Sequence, residues 1–192
     1  SEAGTPLVAD PGYKLGVDMR AAGLPLTTAP GASAVLAALT VSGLPTDAFH
    51  FAGFLPNSSS ARRSGLIGLK DLQATVVLYE SPKRIHAMLS DLCDVLGDGR
   101  NVVICRELTK KFEEVMTGTA IEVLQQIDGR TLKGEIVVLI DRGDVTVMSE
   151  DDVKEALMSA MQTMRIKDAA TAVAGATGMA QRNVYQLALS LK

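Results

Sequence analysis

The sequence predicts an α/β fold: a mixed open sheet with helices on both faces, followed by a small C-terminal helical unit. Three observations carry this. Short apolar runs of strand length alternate with stretches whose apolar residues recur at i, i+3, i+4 and i+7. The link from Cys105 to Phe112 is too short for a helical crossover, so the strands are not all parallel. Beyond Asp141 only helical stripes remain.

The elements follow in order. Asp10-Pro11-Gly12 is a turn opening a helix from about Gly12 to Ala22, stopped at Gly23. Leu26 to Ala29 is a short strand candidate. Pro30-Gly31 leads into a helix from Ala32 to Ser42, ended by Gly43 and Pro45. Ala32, Val35, Leu36 and Leu39 form its stripe, while Ala34, Ala37 and Ala38 make its other faces apolar. Such a helix should pack closely on several sides. Phe49 to Leu55 reads as a strand, Pro56 to Ser60 as an exposed loop and Ala61 to Leu72 as a helix. Thr75 to Tyr79 is a β-branched run of little polarity, as expected for a buried strand. Ile85, Met88, Leu89, Leu92 and Leu96 make a helical stripe between Pro82 and Gly97. Asn101 to Cys105 is the next buried strand and Phe112 to Thr117 another strand. Ala120, Val123, Leu124 and Ile127 mark a helix, and Ile136 to Ile140 the last buried strand.

Asp141 to Glu150 is polar, contains Gly143 and reads as a linker. Three stripes follow: Val153, Leu157, Ala160, Met161 and Met164; Ile166, Ala169, Ala170 and Val173; Val184, Leu187, Ala188 and Leu191. Gly178 sits in the tight connection between the last two, which gives the unit a helix-turn-helix look.

The chain has 192 residues, 47% of them hydrophobic, enough for one α/β domain with its own core plus an appendage. Aromatics are 4% and tryptophan is absent, which disfavours a reader of single-stranded nucleic acid that works by aromatic stacking. A net charge of -3 gives no global pull toward nucleic acid. Ala61 to Lys111 carries nine Lys/Arg against six Asp/Glu, compatible with a basic patch or with an ordinary solvated face. Cys93 and Cys105 lie in apolar runs and read as buried free thiols of a reducing cytosol. The apolar runs are far short of a membrane span.

No Walker A sequence or strand-borne G-x-G-x-x-G occurs, and His50 and His86 lack the spacing of a zinc site. The chemistry-bearing segments are polar clusters flanking the apolar strands, where ligands of open α/β sheets bind. They are Glu2-Ala3-Gly4-Thr5-Pro6, Pro30-Gly31-Ala32-Ser33-Ala34, Tyr79-Glu80-Ser81-Pro82-Lys83-Arg84, Arg106-Glu107-Leu108-Thr109-Lys110-Lys111 and Lys133-Gly134-Glu135. Any one of them alone reads better as a turn or a solvated strand end; it is the series, in this order, that carries the signal.

In this order, SEAGTPLVADPG, PGASAVLAALTVSGLP, FAGFLP, VVLYESPKRI, VVICRELTKKFEE and KGEIVVLI resemble the tetrapyrrole methylase superfamily. The likeness continues to the closing NVYQLALSLK and so covers nearly the whole chain. SEAGTP, YES-x-x-R and RELTK are similar to the branch that methylates a cytidine 2′-hydroxyl of 16S ribosomal RNA. The precorrin-methylating branch usually has a first loop like G-G-D-P. The resemblance implies S-adenosylmethionine as cofactor, 16S rRNA in the small ribosomal subunit as partner, a homodimer, a cytoplasmic location and no metal. It divides the chain into residues 1–29, a remnant of the N-terminal methylase half, residues 30–143, the tetrapyrrole-methylase-like C-terminal half, and residues 150–192, the three-helix unit. Two departures stand out. Glu2 occupies a position where the family usually has Asp, and the family's N-terminal T-P-I-G-N-L loop is absent. The expectation is therefore that the natural N-terminus is missing and that residues 1–192 bind cofactor weakly or not at all.

By the same resemblance, Ala3, Gly4, Thr5, Ser33 and Ala34 line the methionine and ribose portion of the cofactor. Backbone near Glu80, Gly134 and Glu135 borders the adenine side. Glu80 and Glu107 are the candidates for accepting the hydroxyl proton or orienting the ribose. Arg62, Arg63, Arg84, Arg106, Lys110 and Lys111 are the candidate phosphate contacts, with ordinary surface ion pairs as the rival reading. The C-terminal helices either dock the ribosomal subunit or cap the domain. A precorrin or uroporphyrin C-methyltransferase is the alternative enzyme. A helix-turn-helix regulator with an α/β sensor is the alternative of another class, although Gln181 to Lys192 offers only Arg182 and Lys192 as cations.

Overall fold

In the computed structural model, which describes residues 4–143, 150–177 and 179–191, one five-stranded sheet organises the first 143 residues. Its strands are β1 (Phe49–Phe54), β2 (Thr75–Glu80), β3 (Asn101–Arg106), β4 (Glu114–Thr119) and β5 (Ile136–Ile140), in the order β1-β2-β5-β3-β4. β1 and β2 are parallel, whereas β5 is antiparallel to both its neighbours and β4 is antiparallel to β3. The mixed sheet follows from chain length: a parallel neighbour needs a helical crossover, while the short link after β3 permits a hairpin.

Five helices accompany the sheet: α1 (Tyr13–Ala21), α2 (Ala34–Ser42), α3 (Ser59–Leu69), α4 (Ile85–Leu96) and α5 (Ala120–Ile127). Strand residues alternate between the two faces with period two. Val76, Leu78, Val102, Ile104, Ile136, Val138 and Ile140 pack under α3, α4 and α5, with Leu66, Leu89, Leu92 and Val123 among the buried partners. Val77, Val103, Cys105, Val137 and Leu139 face the other way and meet Val35, Ala38 and Leu39 of α2. All five residues of β5 are buried, as a strand sandwiched between helix layers demands. Cys93 and Cys105 are buried and free, and burial pushes the Cys105 thiol up to about 11.

Several expectations need correction. Residues 24–33 form no strand, and Leu24 and Leu26 stay exposed. α2 begins at Ala34, two residues late, because Ser33 keeps an extended conformation as its N-cap. It does not pack on several sides among the described residues: Leu36 and Val41 are exposed while Val35, Ala38 and Leu39 are buried. The loop after β1 is shorter than expected, since α3 already starts at Ser59, and α3 stops at Leu69 rather than Leu72. β4 is shifted to Glu114–Thr119 because Arg106 pairs in register with Glu114 and bonds its carboxylate at 3.0 Å. Thr119 then closes a capping box with Glu122, the Thr119 N–H donating to Glu122 Oε2 at 2.8 Å, so the strand passes directly into α5.

One buried ion pair joins α3 to α4. Arg62 is only 5% exposed. Its Nε donates to Asp91 Oδ2 at 2.7 Å, its Nη1 reaches the Asn57 carbonyl, and Ser59 Oγ donates to Asp91 Oδ1 at 2.9 Å. The helix start is thereby fixed by side chains that propensity alone does not reveal.

The second unit, residues 144–192, holds α6 (Glu150–Met161), α7 (Ile166–Thr177) and α8 (Gln181–Ser190). Val153, Leu157, Ala170, Val173, Val184 and Ala188 form its core, as their spacing predicted. Met164 lies past the end of α6 and is exposed. Gly178 and residues 144–149 of the expected linker lie outside the described residues. No helix among the described residues is long and apolar enough to cross a membrane.

Removing one partner of a buried ion pair strands the other charge. Arg62→Ala should therefore lower the unfolding free energy by about 3–5 kcal/mol, read by urea denaturation. A loss of less than about 1 kcal/mol would assign Arg62 the energetics of a surface pair instead. Burial raises the Asp91 carboxyl, but Ser59, Arg62 and Arg63 outweigh that and hold it below its ordinary value. This contribution is complete above the unfolded value of about 3.9 and is lost as pH falls through the depressed folded value.

Candidate functional site

Strand register creates the site. Glu80 at the end of β2 and Arg106 at the end of β3 both pair with Ile136 at the start of β5. Phe54, closing β1, lies opposite Tyr79. The segments after β1, β2 and β3 and the segment before β5 therefore meet along one edge of the sheet.

Two cavities of about 380 and 400 Å³ open there and share Ala34, Tyr79 and Glu135. The first is bounded by Gly4, Thr5, Ala9 and Asp10 of the N-terminal loop, by Ser33 and by Thr109 and Lys110. The second is bounded by Phe54, Glu80 to Pro82 and Gly134 to Val137.

The loop at Gly4 and Thr5 is zipped to the entry of α2. Thr5 N–H donates to the Ala32 carbonyl at 2.8 Å and its hydroxyl to the Gly31 carbonyl at 3.2 Å. Gly4 has φ +75°, and a Cβ there would lie 2.7 Å from the Ala32 oxygen, so only glycine allows this approach. Ser33 makes no side-chain cap bond to α2, and Ser33 and Ala34, at the start of that helix, both line the first cavity. Leu7, Ala9, Glu107 and Thr109 all have positive φ between 52° and 70°. Such conformations cost about 1–3 kcal/mol each where glycine is absent, and all four fall in the two loops beside this cavity.

Glu107 holds the opposite wall together. Its carboxylate accepts from the Glu135 N–H at 2.9 Å and from Lys110 Nζ at 2.9 Å, while Lys110 also reaches Glu135 Oε2 at 2.9 Å. The Glu135 N–H first, and Lys110 next, hold the Glu107 carboxyl below the usual range. The same carboxylates raise Lys110, which stays cationic.

Glu80 is placed differently. Its side chain is 1% exposed. Its Oε1 accepts from the Ser81 N–H at 2.7 Å and lies 3.2 Å from Arg84 Nε, a charge contact without hydrogen-bond geometry. Arg84 in turn donates to the Leu55 carbonyl at 2.6 Å and to Asn57 Oδ1, tying the segment after β2 to the segment after β1.

The sequence-derived residues thus separate into groups. Gly4, Thr5, Ser33, Ala34, Glu80, Gly134 and Glu135 line the cavities, whereas Ala3 lies outside the described residues. Glu107 lines neither and braces the loop that does. Of the candidate phosphate contacts, Arg62 and Arg84 are committed to internal partners, Arg63 is bonded to Asp94 and Arg106 to Glu114. Lys110 borders the first cavity, and Lys111 is exposed, with Nζ 5.5 Å from the Phe112 ring.

Sequence reasoning named Tyr79 as the end of a strand and the first residue of the Tyr79 to Arg84 cluster, without giving it a role. Its ring forms part of both cavities and meets Phe51 and Phe54 edge-on, with centroids 4.9 and 5.7 Å away. Burial, then the charge of Glu135, pushes the phenol up, so it remains a neutral donor at physiological pH. The available signal was alternation: Tyr79 continues the Val77 face of β2 past the last aliphatic residue.

A family model described as Tetrapyrrole (Corrin/Porphyrin) Methylases matches residues 1–124, and one described as RsmI C-terminal HTH domain matches residues 147–192. Ribosomal RNA small subunit methyltransferase I of Mesorhizobium japonicum is 42% identical over 100% of this chain and 66% of its own length. The protein of that name from Vibrio cholerae serotype O1 is 40% identical over 98% of this chain and 67% of its own. The chain spans about two thirds of the length of these curated relatives. Among solved structures, the methyltransferase CobJ is similar with a TM-score of 0.54 at 21% identity, over 72% of this chain and 62% of that one. Uroporphyrin-III C-methyl transferase from Thermus thermophilus, complexed with S-adenyl homocysteine, gives 0.50 at 18%, over 73% and 63%. These two likenesses are of fold alone.

Gly134 has φ +91°, and a Cβ there would fall inside the Glu107 carboxylate. Gly134→Ala should cost roughly 1–3 kcal/mol through φ strain, plus a steric share. That share should vanish in a Glu107→Ala background. A double-mutant cycle on unfolding free energy reads it. Equal cost in both backgrounds would show that Glu107 does not press on Gly134.

Proposed function

Because the chain belongs to the tetrapyrrole methylase family, we propose that it acts in S-adenosylmethionine-dependent methylation of a cytidine 2′-hydroxyl in 16S rRNA of the small ribosomal subunit. One observation carries this reading: relatives named ribosomal RNA small subunit methyltransferase I align over both units at about 40% identity, whereas the tetrapyrrole-methylating structures share the fold at about 20% or less. The match of residues 147–192 to a domain named for the rRNA enzyme also favours it over a precorrin or uroporphyrin C-methyltransferase. A helix-turn-helix regulator does not account for the methylase match over residues 1–124. The reaction belongs to the cytoplasm, where ribosomal subunits are assembled.

The cavities fit such a cofactor in chemistry. Tyr79 and Phe54 offer an aromatic wall for an adenine, beside the backbone of Gly134. Gly4, Thr5 and Ser33 offer a polar, sterically open cradle for the amino-acid end, at the start of α2. When bound, S-adenosylmethionine supplies an electrophilic methyl group on a sulfonium. The task of the chain is then positioning: it must keep the accepting oxygen in line with that group and exclude competing nucleophiles. The strained loops and the Glu107–Lys110–Glu135 brace supply rigidity to that end.

Glu80 and Glu107 take the orienting role in this reading. Glu107, held down by two donors, is a poor proton acceptor at neutral pH. Glu80 is engaged by Arg84 and by the Ser81 N–H. Lys111 remains the phosphate contact on this unit, since Lys110 is held by Glu107 and Glu135, and residues 1–29 belong with the N-terminal methylase half. The homodimer implied by the resemblance is part of the same reading, and light scattering that gives a monomer mass would remove it.

The deciding assay offers methyl-labelled S-adenosylmethionine to the full-length protein with small ribosomal subunits and, separately, with a tetrapyrrole. Label should enter 16S rRNA as 2′-O-methylcytidine. Label in the tetrapyrrole instead would overturn the reading. In the same assay Tyr79→Ala should raise the KM for cofactor about tenfold, with Tyr79→Phe much closer to the parent.

A further inference from the structure

The second unit carries a groove of about 500 Å³ lined by Lys167, Gln181, Arg182 and Tyr185. We propose that it holds an unpaired nucleotide of the ribosomal RNA together with its flanking phosphates. This rests on the rRNA reading above and adds a second RNA site to it.

Charge segregation within the unit points to a polyanion. α6 carries Glu150, Asp151, Asp152 and Glu155 against Lys154. From Arg165 to Leu191 the count reverses, with Arg165, Lys167 and Arg182 against Asp168. The basic side chains are also available. In the first unit Arg62, Arg63, Arg84, Arg106, Lys110, Arg130 and Arg142 all sit in ion pairs. Among the described residues no carboxylate lies within ion-pair distance of Lys167 or Arg182, and both are exposed.

The remaining lining groups suit a base rather than a second protein. Tyr185 is 37% exposed, and its ring lies on the same helix face as Gln181 and Arg182. Gln181 Nε2 donates to Thr171 Oγ1 at 2.7 Å, which orients the carboxamide and leaves its oxygen as an acceptor for a base N–H. Val184 and Ala188 are fully buried on the opposite side of α8, so the platform is rigid. Two cations and one aromatic ring are too few to grip a duplex, whose affinity comes from many phosphate contacts, but they match one stacked base and its neighbours.

Fluorescence anisotropy with the 192-residue chain and a labelled single-stranded, cytidine-containing RNA tests this without any need for methyl transfer, so its outcome is independent of the assay for the reaction. Lys167→Ala/Arg182→Ala should weaken binding about tenfold and flatten the salt dependence by about 1.4, or about 0.7 per phosphate contact. Tyr185→Ala should weaken it about tenfold with the salt slope unchanged, and Tyr185→Phe should restore most of the affinity. The substituted side chains are exposed, and unchanged melting curves will show that the fold is kept. The proposal is overturned if the chain does not bind the RNA, if the groove variants bind as the parent does, or if Lys14→Ala/Lys70→Ala weakens binding equally. Tighter binding to a duplex DNA of the same length would overturn it too, in favour of a duplex reader.

Discussion

The pairing of Ile136 with both Glu80 and Arg106 is the constraint on which the rest of the first unit depends. β5 is entirely apolar and buried on both faces, so its register is enforced from two sides. A slip of one residue would exchange the Val138 face, packed under three helices, for the Val137 face, packed on α2. That register brings the ends of β2 and β3 level with the start of β5. Only then can the Glu135 N–H reach Glu107 and the segment after β2 wall the same edge.

The edge so formed is held by polar contacts rather than by packing. Glu107, Lys110 and Glu135 lock one wall, Arg84 locks another, and Thr5 fastens the N-terminal loop to α2. Positive-φ residues in two of these segments store strain that the surrounding contacts must offset. Rigidity at a cleft edge suits a reaction whose chief demand is alignment. The same economy of charge explains why a locally basic stretch does not make a basic surface. Most of the arginines between Ala61 and Lys111 are spent on internal carboxylates and carbonyls.

Individual residues show what was legible. Gly4, Thr5, Ser33, Gly134 and Glu135 could be named because they stand beside apolar runs whose ends reach a sheet edge, and because the series resembles a known family. Arg62 and Arg63 look alike in sequence, yet one is buried against Asp91 and the other bridges to Asp94 at the surface. Their partners lie about thirty residues away across a helix pair, so no local pattern distinguishes them. The role of Tyr79 was not legible for a similar reason: what matters is its contact with Phe51 and Phe54 on a neighbouring parallel strand. The unformed strand at Leu26 to Ala29 failed differently, for a strand exists only where a ladder partner accepts its backbone, and none does so among the described residues.

By itself the sequence determined the fold class, the division into an α/β unit and a helical unit, and the family, because hydrophobic periodicity and loop motifs are local properties. The tertiary structure alone decided which charges are free. It committed Arg62, Arg84 and Arg106 to partners, made Glu107 a brace, brought Tyr79 into two cavities at once, and left Lys167 and Arg182 unpaired beside Tyr185. The reason is that a side chain's availability depends on what faces it across the fold, and that distance is set by register and packing, not by position along the chain.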